Sequence, residues 1–325
     1  MNIAIIGGSI TEGAGASTYK NSYVYKLEQY LKENNNNLVV KNLGAGGTAS
    51  QFGIFRLKRD LGIFKPDLIL VEFAVNDRIY NSSELNKYFE GLIRQCANIT
   101  KKIIIIDFPT GMADSCTSIH KKIAYYYGIP VIDVQDEVWK RIGHREFCWS
   151  QIAIDNLHPN DEGHNLYFKI IKEELEKLDL ENFRMKIDNN FLTNYSFNNP
   201  MIISYDDKSV EYYGHWIEQS FKLNNKFDYG ATTNSIGDGI IFRFKGKYLS
   251  MMNLFTKDSG ILECKLDDFN FNIDLYMNSD GHYYNTINVS DLSDEEHILT
   301  VIVSDKKNSN SLGNKIIVGG FCISS

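Results

Sequence analysis

The sequence lacks the features that would send it to a membrane, a nucleic acid or a metal. A helix that crosses a bilayer needs about 20 consecutive apolar residues, and the longest purely aliphatic run here is four isoleucines at 103–106. Membrane insertion is therefore not expected. No block of one charge exists either: 34 Lys and Arg are interspersed with 41 Asp and Glu, for a formal charge of −7. The basic stripe that a nucleic-acid partner requires is missing. Cysteine is sparse and scattered. Cys96, Cys116, Cys148, Cys264 and Cys322 are odd in number and form no Cys-x-x-Cys pair, which argues against zinc ribbons and dithiol chemistry and for reduced, mostly packed thiols. The opening MNIAIIGGS has no basic n-region and no small-residue cleavage site behind a long enough apolar stretch. A cytoplasmic location is the expectation, export by another route being the alternative. Internal repeats are lacking, and the only low-complexity tract is four asparagines at 34–37.

What is present is ordinary globular composition, 43% hydrophobic and 23% charged over 325 residues. That excludes a disordered or collagen-like chain, and the length exceeds the roughly 100 to 200 residues of an average domain. Up to about residue 180, short β-branched runs alternate with helical periodicities, the pattern of a parallel sheet covered by helices. Strands are expected over 2–7, 38–43, 67–73, 102–107 and 130–133. Amphipathic stripes run through Tyr23, Val24, Leu27, Tyr30 and Leu31, through Leu85, Phe89, Leu92, Ile93 and Cys96, and through Leu166, Ile170, Ile171, Leu175 and Leu178. The asparagine tract stops the first of these helices.

The pattern changes after the charged stretch EELEKLDLENFRMK. Short Ile, Phe, Tyr and Val runs over 239–244, 247–255, 261–266, 269–276, 297–303 and 315–321 are separated by Asn, Asp, Gly and Ser. These predict an antiparallel β-sandwich of jelly-roll type. The chain is thus expected to be an α/β domain over 1–185 followed by an all-β domain over 195–325, with the boundary between 180 and 200.

In an open α/β sheet, ligands bind beyond the carboxyl ends of the strands. Ser9 follows the first strand in Gly7-Gly8-Ser9-Ile10-Thr11-Glu12-Gly13, where small residues allow a sharp turn and leave both a hydroxyl and a helix-start N–H exposed. A dinucleotide fingerprint fails because Thr18 stands where the third glycine belongs, and a P-loop fails for want of Gly-Lys-Ser/Thr. Asp155 and His158, three apart before Pro159, can meet as an acid–base pair. A serine needs such a base, and the base needs a group that fixes its tautomer. Asp161 and Glu162 suit the first turn of the helix that follows.

Taken in order, Gly7-Gly8-Ser9, Asn42-Leu43-Gly44-Ala45-Gly46-Gly47, Val75-Asn76-Asp77 and Asp155-x-x-His158-Pro159 resemble the four sequence blocks of the SGNH hydrolases, or GDSL-type esterases. The resemblance covers about residues 1–180. It implies a flavodoxin-like sheet, with Ser9 as nucleophile, His158 as general base and acid, and Asp155 orienting His158. The oxyanion hole it implies combines the Ser9 N–H, the Gly47 N–H and the Asn76 amide. Such chemistry calls for no cofactor and no metal. Two positions depart from the pattern: Gly8 stands where an aspartate is usual, and Ala74 where a glycine is usual. Neither is a catalytic group, so the departures bear on subfamily and substrate.

A β-sandwich beside such a domain is similar to arrangements in carbohydrate esterases, so deacetylation of an O-acetylated sugar or polysaccharide is the leading expectation. The alternatives are an acyltransferase or a lipid or thioester acylhydrolase using the same site and, from another class, a non-catalytic glycan-binding protein. Nothing in the sequence sets an oligomeric state. His164 is not spaced from His158 as a zinc ligand pair. Glu72 and Asp77 either steer substrate or structure the loop around Asn76, the second being preferred. Thr11 and Glu12 are read as caps of the first helix. Tyr212, Tyr213, His215 and Trp216 are read as core in preference to a sugar-stacking surface, and Asp206-Asp207 and Asp267-Asp268 as turns.

Overall fold

The computed structural model describes residues 1–34, 37–112, 116–180, 182–186, 190–193, 195, 197–279 and 281–325. Asn35 and Asn36 of the helix-stopping tract, and parts of the expected boundary region, lie outside the described residues. The chain divides into two compact units, Met1–Ser196 and Phe197–Ser325.

The first unit runs β1 (Asn2–Gly7), α1 (Ser9–Glu12), α2 (Tyr23–Asn34), β2 (Val39–Gly44), α3 (Ser50–Leu61), β3 (Leu68–Glu72), α4 (Ala74–Asp77), α5 (Ser82–Ala97), β4 (Ile103–Asp107), α6 (Thr117–Tyr127), β5 (Val131–Asp133), α7 (Val134–Gly143), α8 (Trp149–Ile152) and α9 (Asp161–Lys177). Its sheet is parallel in the order β2-β1-β3-β4-β5, the flavodoxin-like order, in which ligands bind at the switch between β1 and β3. Strands β3 and β4 are buried at every residue. Ile3, Ile5, Leu68, Leu70, Ile104 and Ile106 pack with Tyr23, Val24 and Leu27 of α2 and Tyr167, Ile170 and Ile171 of α9. The alternate residues Ile6, Ile69, Val71, Ile103 and Ile105 are also buried and face the other side. Local signals set the long helices: Asn81 and Glu84 form a capping box on α5, and the Asn160 side chain caps α9 by accepting from the Gly163 N–H.

Helix α3 carries no polar stripe, because residues 50–57 are all buried. The one charge in that buried stretch, Arg56, is fully buried, yet the guanidinium donates to Leu43 O at 2.8 Å, Gly7 O at 2.9 Å and Asp60 Oδ2 at 2.7 Å. It therefore ties together the carboxyl ends of β1 and β2, the edge on which Ser9 sits. Thr11 and Glu12 do not cap α1, correcting that expectation. They lie inside this four-residue helix, whose N-cap, Gly8, has no side chain to offer.

The second unit comprises β6 (Met201–Ser204), β7 (Val210–Tyr213), β8 (Ile217–Leu223), β9 (Phe227–Thr233), β10 (Gly239–Lys245), β11 (Tyr248–Phe255), β12 (Ile261–Leu266), β13 (Phe269–Asp274), β14 (His282–Val289), β15 (Glu296–Val303) and β16 (Ile316–Ser324). One antiparallel sheet has the order β13-β12-β15-β10-β7. The other has the order β14-β11-β16-β9-β8, with β6 also pairing with β16. Phe242 of the first stacks on Phe321 of the second with centroids 4.1 Å apart, within a core that includes Leu249, Met251, Leu262, Leu299 and Val318. Strands β6 to β9 and β14 have no counterpart in the expected set. Strands β6 and β7 are short, β8 is polar-laced and largely exposed, and β9 and β14 are buried in uneven blocks, so none shows a sustained period-two alternation. The aromatic cluster is split: Tyr212 and Trp216 pack on the core, whereas Tyr213 and His215 are exposed. Asp207 accepts from Ser209 N within its turn, and Asp267, in the turn between β12 and β13, accepts from Ile298 N of β15. The five cysteines are free, and Cys148 alone among them is exposed. Among the described residues, no helix is long and apolar enough to cross a membrane.

Removing one partner of a buried ion pair leaves the other charge stranded, at a cost of about 3–5 kcal/mol. Arg56→Ala is therefore expected to destabilise the first unit by up to about that amount, read as a lower urea midpoint, because two strand-end carbonyls lose their donor and Asp60 keeps only Arg59 among the described residues. A midpoint within experimental error of the unsubstituted chain would contradict this account.

Candidate active site

Ser9 is the first residue of α1, directly beyond the β1 end where Gly7 lies in register with Gly44 on one side and Glu72 on the other. Its Oγ is 3.0 Å from His158 Nε2. His158 Nδ1 is 2.8 Å from Asp155 Oδ2, while Asp155 Oδ1 accepts from Leu157 N at 2.6 Å and from His158 N at 2.7 Å. One carboxylate oxygen thus shapes the loop and the other orients the ring, so that Nδ1 carries the proton and Nε2 faces the serine as an acceptor. Partial burial works against ionisation of Asp155, but the hydrogen bonds from His158 and Leu157 outweigh it and hold the carboxyl below its usual range. The loop is pinned from outside by Trp149 Nε1, which donates to Asp155 O, and by Gly111 N, which donates to Asn156 O, both at 2.8 Å.

Ser9 and His158 come from distant parts of the chain, and a separate set of contacts holds their loops together. Asp161 accepts from Ser17 N at 2.8 Å, Ser17 Oγ at 2.6 Å and Asn21 Nδ2 at 2.8 Å. His164 accepts from Tyr23 N through Nδ1 at 3.2 Å and donates from Nε2 to Ala14 O at 3.0 Å. These bonds suit neutral imidazole, and burial pushes the His164 pKa down. His164 is therefore a fastener between α9 and the serine loop, and Asp161 does more than charge a helix start.

Gly47 adopts φ +70°, a left-handed conformation that an L side chain adopts only at a cost. Space is not the constraint, since a β-carbon there would meet nothing among the described residues within 4 Å. The neighbouring Gly46 N donates to Glu12 Oε2 at 2.7 Å, anchoring the glycine turn to α1. Asn76 lies in α4, beyond β3, with its Oδ1 so close to Gly8 that a β-carbon on Gly8 would overlap it. A side chain before the serine would therefore push the Asn76 amide out of this position. The five residues read from the sequence converge on the carboxyl edge of the sheet, between β2, β1 and β3.

Beneath the turn lies a buried layer that the sequence did not reveal as a unit. Glu72 Oε2 accepts from Thr11 Oγ1 at 2.7 Å and from Gly8 N at 3.4 Å, and Thr11 Oγ1 also meets the Tyr23 hydroxyl at 2.8 Å. Glu72 Oε1 has no hydrogen-bond partner among the described residues. Burial raises the Glu72 pKa to about 7, with Asp77 and Asp107 adding to the rise and the Thr11 and Gly8 hydrogen bonds opposing it. Asp77 is buried and binds Ser50 N at 2.8 Å and His120 Nε2 at 3.0 Å. Glu72 and Asp77 are therefore structural, and His120 and Asp107 join them without having stood out. A lone histidine on a helix and an aspartate ending a strand carry no spacing signal.

Between pH 4.5, the ordinary value for this carboxyl, and about 7, folded Glu72 retains a proton that the unfolded chain has released. Stability is therefore lost as pH rises through that window and is level above it. Glu72→Gln cannot ionise and keeps an acceptor for Thr11 and Gly8. It is expected to exceed the unsubstituted chain in unfolding free energy by about 1–3 kcal/mol at pH 8 and to show no advantage below about pH 4.5. Paired urea titrations at the two pH values check the sign, and an advantage that does not grow with pH would refute the assignment.

No curated protein matches this sequence. Two solved structures are similar over its whole length. A two-domain esterase active on acetylated mannans, co-crystallised with mannopentaose, is 22% identical, with 100% of this chain and 90% of that chain covered and a TM-score of 0.87. A second structure described as a two-domain esterase active on acetylated mannans is also 22% identical, covers 100% and 91%, and has the same TM-score of 0.87. At this identity the likeness establishes the fold of both units. Residues 5–166 match the model of the GDSL-like Lipase/Acylhydrolase family, and this segment holds Ser9, the glycine turn, Asn76, Asp155 and His158; the first unit of the chain is an ester-hydrolase domain of the GDSL-like lipase/acylhydrolase family.

Proposed function

We propose that the chain is a serine acetylesterase that removes acetyl groups from an O-acetylated sugar or polysaccharide through an acyl-Ser9 intermediate. The observation that carries this reading is the unbroken path from Ser9 Oγ through His158 to Asp155, with contacts of 3.0 Å and 2.8 Å. Ser9 Oγ attacks the ester carbonyl as His158 Nε2 takes its proton. The charge that develops on the carbonyl oxygen is met by the Ser9 and Gly47 N–H groups and the Asn76 side-chain amide. His158 then gives the proton to the departing sugar hydroxyl. Water, deprotonated by the same imidazole, attacks the acyl-serine and releases acetate. Asp155 keeps Nδ1 protonated throughout and stabilises the imidazolium that forms. The donors are fixed before reaction by Gly8, Glu12 and the α4 turn, so little reorganisation is required as charge develops.

Two features support a carbohydrate ester over a lipid. The acid–base pair lies at the surface, with His158 25% and Asp155 49% exposed, which leaves space for a bulky alcohol. The protein with the same two-unit fold that is active on acetylated mannans points to the same substrate class.

Acetate release from acetylated manno- and xylo-oligosaccharides, compared with hydrolysis of p-nitrophenyl acetate, butyrate and octanoate, tests this reading. Activity is expected on the sugars and to fall with acyl length, and Ser9→Ala is expected to lose at least about 10⁴-fold in kcat. Equal rates for Ser9→Ala and the unsubstituted chain would end the covalent mechanism, and a preference for octanoate would end the acetyl-sugar assignment. Gly8→Ala is expected to cost about 10²–10³ in kcat, the loss seen when one oxyanion donor is removed. Its unfolding midpoint should stay close to that of the unsubstituted chain, since the methyl displaces only the Asn76 amide.

A further inference from the structure

Behind the oxyanion donors lies a second histidine between carboxylates, out of reach of any substrate. His120 of α6 places Nδ1 2.8 Å from Oδ1 of Asp107, the last residue of β4, and Nε2 3.0 Å from Oδ2 of Asp77, the last residue of α4. All three side chains are fully buried, and Phe89 of α5 stacks on the imidazole with centroids 3.6 Å apart. Both ring nitrogens face carboxylate oxygens, an arrangement that suits the doubly protonated ring. Burial alone would push the His120 pKa down, but the Asp107 charge and the hydrogen bonds to Asp107, Asp77 and Cys116 hold it well above its ordinary value.

What this triplet grips is the point. Asp77 is the residue after Asn76, and its other oxygen accepts from the N–H of Ser50, the first residue of α3, three residues beyond Gly47. Cys116, four residues before His120, donates from Sγ to Ala74 O at 3.0 Å, holding the opposite end of α4. Two of the three groups assigned to the oxyanion hole therefore hang from a single buried carboxylate, whose position is set by His120 and, through it, by the end of β4.

We propose that His120 is a positioning residue for ester hydrolysis: clamped between Asp107 and Asp77, it fixes the Asn76 amide and the Gly47 turn as one rigid pair of oxyanion donors. The inference rests on the acyl-serine reading above. A buried polar network in which both ring nitrogens and both Asp77 oxygens are paired suits such a task, because a donor displaced by a fraction of an ångström loses much of its effect on the transition state. The residue acts through Asn76 and touches no reacting atom.

The test is a double-substitution cycle on p-nitrophenyl acetate hydrolysis, comparing His120→Gln with the unsubstituted chain and again in an Asn76→Ala background. Asp77→Asn, which retains an acceptor for Ser50, serves as a second variant should His120→Gln fail to fold. In the native background kcat is expected to fall by about 10- to 100-fold with KM within about twofold, a loss confined to the transition state. In the Asn76→Ala background the same substitution is expected to cost at least about threefold less than in the native background, since one of the two donors it positions is already gone. Equal losses in both backgrounds, or a loss carried by KM, would overturn the proposal. The side-chain amide resonance of Asn76, assigned by its disappearance in Asn76→Ala, supplies a readout independent of turnover. It is expected to shift or broaden in His120→Gln, and an unchanged signal would overturn the proposal. Should Ser9→Ala prove as active as the native chain, the hydrolase reading falls by itself, and the amide resonance still decides whether His120 holds Asn76.

Discussion

The contact between Ser9 and His158 spans 149 positions of sequence, and it depends on the grip of Asp161 on the serine loop. One carboxylate collects two bonds from Ser17 and one from Asn21, while His164, three residues further along α9, fastens Ala14 and Tyr23. Both residues stand at the start of the helix that follows the histidine loop, so the helix that closes the first unit also sets the distance between Ser9 and His158. The Asp161 carboxyl is held below its usual range first by the Ser17 bonds, so the grip persists as an ionised acceptor through neutral pH. Their own structure is short: α1 and one 3-10 turn at 19–21 on the serine side, and a single bridge between Ala153 and Pro159 around the histidine. Side-chain bonds from a rigid helix supply what backbone ladders do not.

The site is built above a layer of buried charge at the carboxyl edge of the sheet. Arg56 joins the ends of β1 and β2, Glu72 lies under the serine turn, and Asp77, His120 and Asp107 link α4, α6 and β4. Desolvating such groups is costly, and an apolar filling would fold at least as readily. What the charged layer contributes is direction. Hydrogen bonds to Gly7 O, Gly8 N and Ser50 N act on the backbone segments that carry Ser9, Gly47 and Asn76, and apolar contacts could not orient them. The mainly aliphatic strands supply the stability that offsets this cost, since β3 and β4 are buried throughout and aliphatic except for their terminal Glu72 and Asp107.

The second unit is organised differently. Its core is a two-layer stack of alternating side chains, with the Phe242–Phe321 pair joining the layers, and its polar contacts are mainly turn and cross-strand bonds such as His297 to Asp267 at 2.7 Å. Its exposed residues Tyr213 and His215 adjoin Tyr212 and Trp216, which are packed against the core, so a contiguous stretch of sequence is divided between surface and interior. Strand alternation produces the division between Tyr212 and Tyr213 on β7, whereas His215 and Trp216 lie in the turn between β7 and β8.

Much of this was legible from local pattern. The α/β-then-β order and the strand ends follow from periodicity and turn chemistry, because strand, turn and helix-start preferences act over a few residues, and the cluster of Gly8, Ser9, Gly47, Asn76, Asp155 and His158 followed from the resemblance of its four blocks to the SGNH hydrolases. Edge strands such as β8, and α3 with its buried arginine, were not legible, since their burial is set by neighbours far away in sequence. The same holds for the functional supports: nothing near His120 in the chain shows that it will lie between Asp107 and Asp77, and nothing near Gly8 shows that Asn76 will close over it. The amino-acid sequence alone determined which groups could do chemistry and at which end of which strand they would stand. Only the tertiary structure decided which of them touch, because hydrogen-bond distances between residues tens to more than a hundred positions apart are set by the packing of whole elements.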